Sequence, residues 1–325
     1  MHEIKNAVLL KGLQHAASLT SGIGRNKRLF VLIYHRVLDS PDFMRGGEPD
    51  IEAFDWQMEL LATYFNVLSL DTALEKLKAN QLPSKAICIT FDDGYADNLT
   101  NAVPILKKYA LPATFFIATG FLNGGRMWND SIIEAIRIIP ETKLDLTAIG
   151  LGKFELDTQV KKAAASEAII KQLKHLQPRQ RNLYTDHIIS QVGELPDDLM
   201  LTNDQVIELY QQGMEIGGHT VSHPILAKLD VDSARKEIAD SKITLETILS
   251  HKLRFFAYPN GKPGQDYLPE HIGIIKDVGY QAALSTQWGV ANQSSDFLQL
   301  PRFTPWDQVP LKFMGRMILM YNKVQ

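Results

Sequence analysis

Residues 87–95 have the sequence I-C-I-T-F-D-D-G-Y, in which an apolar run ends abruptly in two adjacent carboxylates and a glycine. The apolar part is typical of a buried parallel strand, and α/β proteins place active sites at the carboxyl ends of such strands. Two like charges held side by side are costly unless a cation or a proton separates their roles. Asp92 and Asp93 are therefore candidate functional residues, although Asp93-Gly94 also suits an ordinary solvated turn.

Further short apolar runs, separated by helical patterns, surround this segment. We predict strands over residues 29–34, 86–91, 113–118, 214–216, 255–258 and 281–285, and helices over residues 71–79, 231–250 and 267–277. Another helix is predicted after Thr202, which can form a capping box with Gln205, and before Gly213. Strands that alternate with helices favour a parallel sheet covered by helices, either as a barrel or as an open sheet.

Residues 126–200 interrupt the alternation. We predict a helix over residues 130–138, a hairpin around residues 143–147 and 153–156, and mostly helical structure over residues 158–191 with a break at Pro178. This region is interpreted as an insertion on the barrel. No linker is long enough to mark a second domain, so residues 1–325 are predicted to form a single domain.

The composition excludes several classes of protein. The 325 residues are 45% hydrophobic and 22% charged with a net charge of −3, which gives no global basic field for nucleic acid. The one cysteine, Cys88, excludes an internal disulfide framework and cysteine-rich zinc sites. Residues 3–18 are predicted to form an amphipathic helix, without a convincing secretory signal or membrane span. We expect a cytoplasmic location, with contact at the inner membrane surface as a further alternative.

The second informative segment, residues 217–224, has the sequence G-G-H-T-V-S-H-P and also follows an apolar strand. His219 and His223 are four residues apart, so one tight loop can direct both imidazoles to one point. Two neutral imidazoles and one carboxylate form a common three-ligand set for a divalent metal with an open position. A histidine pair alone is more often ordinary surface or core, but with Asp92-Asp93 at another strand end it indicates a metal site.

Together the T-F-D-D-G and H-T-V-S-H segments resemble the first two motifs of the polysaccharide deacetylase superfamily, carbohydrate esterase family four. The flanking segments Y-A-D-N-L-T-N-A-V-P-I-L-K-K-Y and L-P-A-T-F-F-I-A-T-G are similar to the family as well. The resemblance runs from about residue 29 to about residue 302. It implies an α/β fold in the form of a distorted (β/α) barrel with fewer than eight regular strands, plus the helical and hairpin insertion.

The resemblance also implies roles for the motif residues. Asp93, His219 and His223 would bind a divalent metal, Zn²⁺ or alternatively Co²⁺ or Ni²⁺, and Asp92 would be the general base. A bound metal lowers the pKa of its water toward about 7 and stabilises an oxyanion. An adjacent carboxylate can then accept the proton as the water attacks.

The third family motif, commonly R-x-P-Y-G, is only partly present, because residues 257–261 have the sequence A-Y-P-N-G. The backbone N–H of Asn260 could still contact the oxyanion. Ala257 stands where the family has the arginine that contacts the base. We hypothesise that Arg302, in L-P-R-F, supplies that guanidinium from elsewhere, against the alternative of a surface arginine near a turn.

The usual C-terminal motif that supplies an acid histidine is not found, since no histidine follows His271. The departing amine needs a proton, and the sequence resembles biofilm poly-N-acetylglucosamine deacetylases, in which the acid histidine lies in an N-terminal strand. His35, in V-L-I-Y-H-R-V, is therefore predicted to be the acid. Tyr95, Trp128 and Tyr258 are predicted to contact substrate, with simple packing as the alternative.

These observations predict a metal-dependent N-deacetylase that acts on N-acetylated sugar units of a bacterial exopolysaccharide or its oligosaccharide precursor. One alternative is a hydrolase of a small non-sugar amide on the same barrel, and another is a glycan-binding descendant without turnover. A C-terminal helix is predicted over residues 309–324, with apolar residues beside basic ones. It can pack on the barrel, the favoured interpretation, or contact an anionic membrane surface.

Overall fold

A computed structural model describes residues 27–321 and residue 323 of the protein. The helix predicted over residues 3–18 lies outside these residues. Within them lies a parallel seven-stranded sheet, with strands β1 (Leu29–Tyr34), β2 (Asn66–Val67), β3 (Ala86–Phe91), β4 (Thr114–Ile117), β7 (Glu215–Gly218), β8 (Phe255–Ala257) and β9 (Ala282–Leu284). The strand order is β1-β3-β4-β7-β8-β9, and β2 pairs with the start of β3.

Helices cover the outside of this sheet and also build the predicted insertion. They are α1 (Ile51–Tyr64), α2 (Leu70–Lys78), α3 (Val103–Lys108), α4 (Trp128–Ile138), α5 (Gln159–Leu173), α6 (Pro178–Ile189), α7 (Asn203–Gln211), α8 (Val231–Leu249), α9 (Pro269–Asp277) and α10 (Pro310–Met320). Local sequence sets several of these boundaries. The capping box predicted at the start of α7 is present, because the N–H of Gln205 donates to the Thr202 hydroxyl while the Gln205 side chain accepts from the Thr202 N–H.

Residues 300–303 form a seam that joins the two edges of the curved sheet. Leu300 bridges to Leu284 of β9, and Phe303 bridges to Leu32 of β1. Backbone hydrogen bonds hold both ends of the seam. The N–H of Leu300 donates to the carbonyl oxygen of Ala283 at 2.9 Å, and the N–H of Phe303 donates to the carbonyl oxygen of Val31 at 2.9 Å. The predicted distorted (β/α) barrel with fewer than eight regular strands is therefore confirmed.

The predicted insertion has the expected elements. Helix α4 is followed by an antiparallel hairpin of β5 (Lys143–Asp145) and β6 (Lys153–Glu155), and then by α5 and α6, which are separated just before Pro178. These elements share their own apolar cluster, which includes Ile132, Leu144 and Ile169. The insertion therefore stands beside the barrel as a locally packed wall.

The C-terminal helix α10 packs on the barrel, as the favoured interpretation predicted. Its apolar residues Phe313, Met314 and Met317 are buried, and the Phe313 ring meets Trp56 of α1 with ring centroids 5.6 Å apart. Among residues 27–321, no helix combines the length and apolar character needed to cross a bilayer.

Candidate metal centre and active site

The predicted motifs meet in one cleft of about 840 Å³ at the carboxyl edge of the sheet. Each parallel strand delivers its next residues to this edge, which brings together side chains far apart in the sequence. The cleft is lined by residues that follow β1, β3, β7 and β8, namely His35, Asp92, Asp93, His219, His223 and Asn260. The insertion forms a further wall.

Local backbone geometry directs the ligands into the cleft. Asp93 lies in the left-handed region with φ of 77°, a conformation that aspartate adopts more readily than most residues, and Gly94 continues the turn with φ of 88°. On β7, a Cβ atom on Gly217 would collide with the Phe116 ring of the neighbouring strand. Glycine at this position lets β7 lie close to β4, and His219 then reaches the Asp93 carboxylate.

Asp93, His219 and His223 form a candidate metal site. The Oδ1 atom of Asp93 lies 3.4 Å from the Nε2 atom of each histidine. The three ligand atoms lie within 4.8 Å of one another. Donor atoms bound tetrahedrally about 2.0–2.1 Å from a zinc ion are about 3.3 Å apart, so this spacing fits the ion. Asp93 Oδ1 is also buried without a hydrogen-bond partner among the described residues, which is costly unless a cation satisfies it.

The surrounding residues fix both imidazoles. Nδ1 of His219 lies 2.7 Å from the carbonyl oxygen of Ala257, so it carries the proton and leaves Nε2 free to bind a cation. The turn that carries His223 is held by Glu237 of α8, whose carboxylate accepts from the N–H groups of Val221 and Ser222 at 2.9 and 2.8 Å. Glu237 was missed by the sequence motifs, because no local signal links a helix residue to this turn.

Electrostatics favours the ligand forms of His223 and Asp93. Burial lowers the pKa of His223 to about 4, so its imidazole is neutral at pH 7. Burial by itself raises the pKa of Asp93, but the neighbouring His223, His219 and His35 outweigh it and hold that pKa below its usual range. Metal binding requires neutral imidazoles and an ionised carboxylate, and the pKa values of His223 and Asp93 favour these forms.

Asp92 has a different partner. The guanidinium of Arg302 donates two hydrogen bonds to its carboxylate, at 2.7 and 2.8 Å, and the Arg302 side chain is fully buried in the seam. Burial alone raises the pKa of Asp92, but the charges of Arg302 and His219 reverse this and the net shift is downward. The hypothesised contact between Arg302 and Asp92 is therefore present. It keeps Asp92 ionised and fixes the direction of its oxygen atoms.

His35 and Asn260 occupy the rim of the same site. His35 follows β1, and its carbonyl oxygen accepts from the Asn98 side chain at 2.8 Å, which fixes the backbone there. Burial lowers the pKa of His35, but the carboxylates of Asp93, Glu48 and Asp92 outweigh burial and the net shift is upward. The Asn260 N–H has no hydrogen-bond acceptor among residues 27–321, so it is available to an oxyanion.

The three predicted substrate contacts differ in their positions. Tyr95 lines the cleft but is buried, and its hydroxyl donates to Asp130 at 2.9 Å. Trp128 lines the insertion side of the cleft and is partly exposed. Tyr258 is fully buried away from the cleft lining, where its hydroxyl donates to the Leu298 carbonyl and its ring stacks on Tyr267. The prediction that Tyr258 contacts substrate is corrected, because its side chain points into the core.

Comparison with known proteins places this site in a family. Residues 79–283 match the family described as polysaccharide deacetylase. YxkH of Bacillus subtilis, which is named for the same family, is 24% identical over 300 residues that cover 92% of this chain and 78% of YxkH. A poly-beta-1,6-N-acetyl-D-glucosamine N-deacetylase of Staphylococcus aureus is 34% identical over 106 residues, 32% of this chain and 35% of that protein.

Solved structures agree on the fold. Deacetylase PplD of Streptococcus pyogenes has a TM-score of 0.60 at 22% identity, covering 90% of this chain and 98% of PplD. IcaB of Ammonifex degensii has a TM-score of 0.58 at 20% identity, covering 91% and 97% of the two chains. The match to the family covers residues 79–283, more than half of this chain, and the chain therefore belongs to the polysaccharide deacetylase family.

Proposed function

We propose that this member of the polysaccharide deacetylase family is a metal-dependent N-deacetylase acting on N-acetylated sugar units of a bacterial exopolysaccharide or its oligosaccharide precursor. The observation that carries the proposal is the division of work between two adjacent carboxylates. Asp93 faces two imidazoles, whereas Asp92 faces a guanidinium. One carboxylate is thus placed to bind a cation and the other to accept a proton.

In this proposal, Asp93, His219 and His223 hold a divalent cation, which is Zn²⁺ or alternatively Co²⁺ or Ni²⁺. When bound, the cation would polarise the acetamide carbonyl and acidify the attacking water. Asp92 accepts a proton from that water. Arg302 keeps the Asp92 carboxylate ionised and directed toward the cleft.

The remaining residues act on the acetamide. The Asn260 N–H donates a hydrogen bond to the oxygen on which negative charge develops. His35 donates a proton to the departing amine nitrogen, since an amide nitrogen leaves poorly as an anion. The net upward shift of the His35 pKa favours the protonated form that this role requires.

Two features favour this function over its alternatives. The cleft of about 840 Å³ is near the upper end of the range for small-molecule sites, about 300–1,000 Å³, which suits a glycan better than a small amide. A glycan-binding protein without turnover has no need of an ionised base beside its metal ligands. The pairing of Asp92 with Arg302 therefore supports turnover.

Acetate release from β-1,4 and β-1,6 oligomers of N-acetylglucosamine tests the proposal. We expect release from the wild type to stop with a chelator and to return with added Zn²⁺, Co²⁺ or Ni²⁺. Asp92→Asn should lower the rate by about 10²–10⁴-fold with unchanged metal content, because it removes a general base. The matched control Asp186→Asn, on the exposed side of α6, should retain the wild-type rate.

Two results would contradict the proposal. Acetate release that is insensitive to the chelator would exclude the metal site. Absence of release from every sugar, together with hydrolysis of a small amide such as a formamide, would favour the small-amide alternative.

A further inference from the structure

Arg181, on helix α6 of the insertion, has a buried positive charge without a counter-charge among the residues that the structure describes. Its side chain lines the cleft and only 6% of the residue is exposed. Its Nε atom has no hydrogen-bond partner, and no carboxylate of residues 27–321 lies within ion-pair distance of its guanidinium. The guanidinium lies over the ring of Trp128, 4.8 Å from the ring centroid.

Other arginines near the insertion are paired. Arg45 contacts the carboxylates of Asp130 and Glu134 at 2.8 and 3.0 Å, and Arg137 contacts that of Asp42 at 2.6 Å. A buried charge without a partner is unfavourable, and a cation–π contact compensates only in part. Burial accordingly lowers the pKa of Arg181. This arrangement is expected where a ligand supplies the missing negative charge.

The groups around Arg181 suit a charged sugar. Lys174, at the end of α5, lines the same wall and has no ion-pair partner among the described residues. The side-chain oxygen of Asn129 is buried there without a hydrogen-bond partner in the described part of the chain, so it can accept from a sugar hydroxyl. Glu167 is exposed on this wall and pairs with neither cation. Among the cleft residues contributed by α5, α6 and the turn between them, Arg181 and Lys174 are the cations and Glu167 is the carboxylate.

We propose that this insertion-side end of the cleft binds an anionic group carried by the glycan substrate, either the carboxylate of a uronic acid or a phosphate ester. Arg181 is the specificity-determining residue, because a planar guanidinium binds both groups through paired hydrogen bonds. Trp128 holds the guanidinium in place, and Lys174 adds charge. The proposal rests on the proposed function, since it names the class of sugar that the same cleft accepts.

Binding to the full-length Asp92→Asn protein, measured by isothermal titration calorimetry, tests this inference without turnover. The probes are a neutral N-acetylglucosamine tetramer, a tetrasaccharide of alternating glucuronate and N-acetylglucosamine, and the neutral tetramer with a phosphate at its reducing end. We expect at least one charged probe to bind about tenfold or more tightly than the neutral tetramer. Which charged probe binds identifies the source of the anion.

Arg181→Gln in this background should weaken the charged complex by about 10–100-fold and leave the neutral one nearly unchanged, because it removes charge-assisted hydrogen bonds. Arg181→Lys should retain part of the preference for the charged probe over the neutral tetramer. Arg179→Gln, on the exposed side of the same helix, is the matched control and should retain all of it. Circular dichroism checks that each variant is folded.

If Arg181→Gln does not fold, two other variants test the same inference. Lys174→Gln should weaken binding of the charged probe, and Glu167→Gln should strengthen it. Equal affinity for neutral and charged probes, or a preference that survives these changes, would overturn the inference. Acetate release without any charge preference would leave the proposed function standing. A charge preference without acetate release by the wild type would reject that function and keep the anion site.

Discussion

Strand β7 has a polar residue at each end, and the two ends differ in what surrounds them. At its amino end, the carboxylate of Glu215 accepts from the N–H groups of Leu70 and Asp71 at the start of α2, and from the Thr114 hydroxyl. At its carboxyl end, His219 faces the carboxylates of Asp92 and Asp93. One strand thus joins a helix cap to the candidate active site.

The difference lies in the partner of each buried carboxylate. Burial raises the pKa of Glu215, and its neutral hydrogen-bond donors do not reverse this shift. Burial also favours a higher pKa for Asp92, but the charge of Arg302 reverses the effect. The guanidinium of Arg302 is therefore the difference between a carboxylate kept ionised in the candidate active site and one that ties a helix to the sheet.

The largest expected effect follows from removal of that guanidinium. Arg302→Met leaves Asp92 as a buried charge without its partner, and we expect a loss of about 3–5 kcal/mol in the free energy of unfolding, together with most of the activity. Urea denaturation and acetate release measure the two effects.

The double variant Arg302→Met, Asp92→Leu is its control. We expect it to recover most of the stability and none of the activity, because neither charge remains. An active Arg302→Met protein would show that the guanidinium is not what distinguishes the Asp92 carboxylate from that of Glu215.

A second substitution affects only the site at the carboxyl end of β7. His35→Ala should lower the rate of acetate release by about 10²–10³-fold, since it removes the proposed general acid. The metal content, measured by mass spectrometry, should stay unchanged because His35 is outside the ligand set. An undiminished rate would remove His35 from the mechanism, and a loss of metal would reassign it to the metal centre.

A smaller effect is expected from a substitution at the amino end of β7. Glu215→Ala removes the acceptor for two N–H groups of α2, and we expect a loss of about 1–2 kcal/mol in the free energy of unfolding. The rate of acetate release below the melting temperature should match the wild type. A strong loss of activity in a folded Glu215→Ala protein would show that the two ends are not independent.

The smallest effect is a pH dependence of stability at the amino end. Because the pKa of Glu215 is raised in the folded protein, the folded state retains a proton on Glu215 that the unfolded chain has released at pH values between the two pKa values. The resulting stabilisation is complete below the pKa of the unfolded chain and is lost as the pH rises through the pKa of the folded protein.

The Glu215→Gln variant has no titratable group at this position. Between pH 4 and pH 8, the Tm of the wild type should therefore fall by about 1–3 °C relative to the Tm of the variant. Differential scanning calorimetry measures it. A difference that moves in the opposite direction would mean that a cation stabilises Glu215.

The sequence predicted the sheet well, because buried parallel strands are apolar along their whole length. Residues 29–34 and 86–91 match β1 and β3 throughout. The convergence of the candidate metal ligands was predictable as well, since both motifs directly follow strands that must end at the same edge. Residues 51–64, which no motif predicted, form α1, although Phe54, Met58 and Leu61 recur there at helical spacing.

Other features depend on tertiary structure. Arg302 and Asp92 are 210 residues apart in the chain, and only the register of the seam brings them together. The direction of Tyr258 depends on which face of β8 meets the core, and residue types alone do not decide this. The unpaired charge of Arg181 becomes visible only when the positions of all neighbouring acids are known.

The seam has a consequence for the order in which the protein matures. All three candidate metal ligands precede residue 224, whereas Arg302 belongs to the segment that joins β9 to β1. During synthesis the amino-terminal part of a chain leaves the ribosome first, so the three candidate ligands emerge well before the arginine that pairs with Asp92. Under the proposed function, a nascent chain could bind its cation early and still be unable to hydrolyse its substrate until residues 300–303 have closed the sheet.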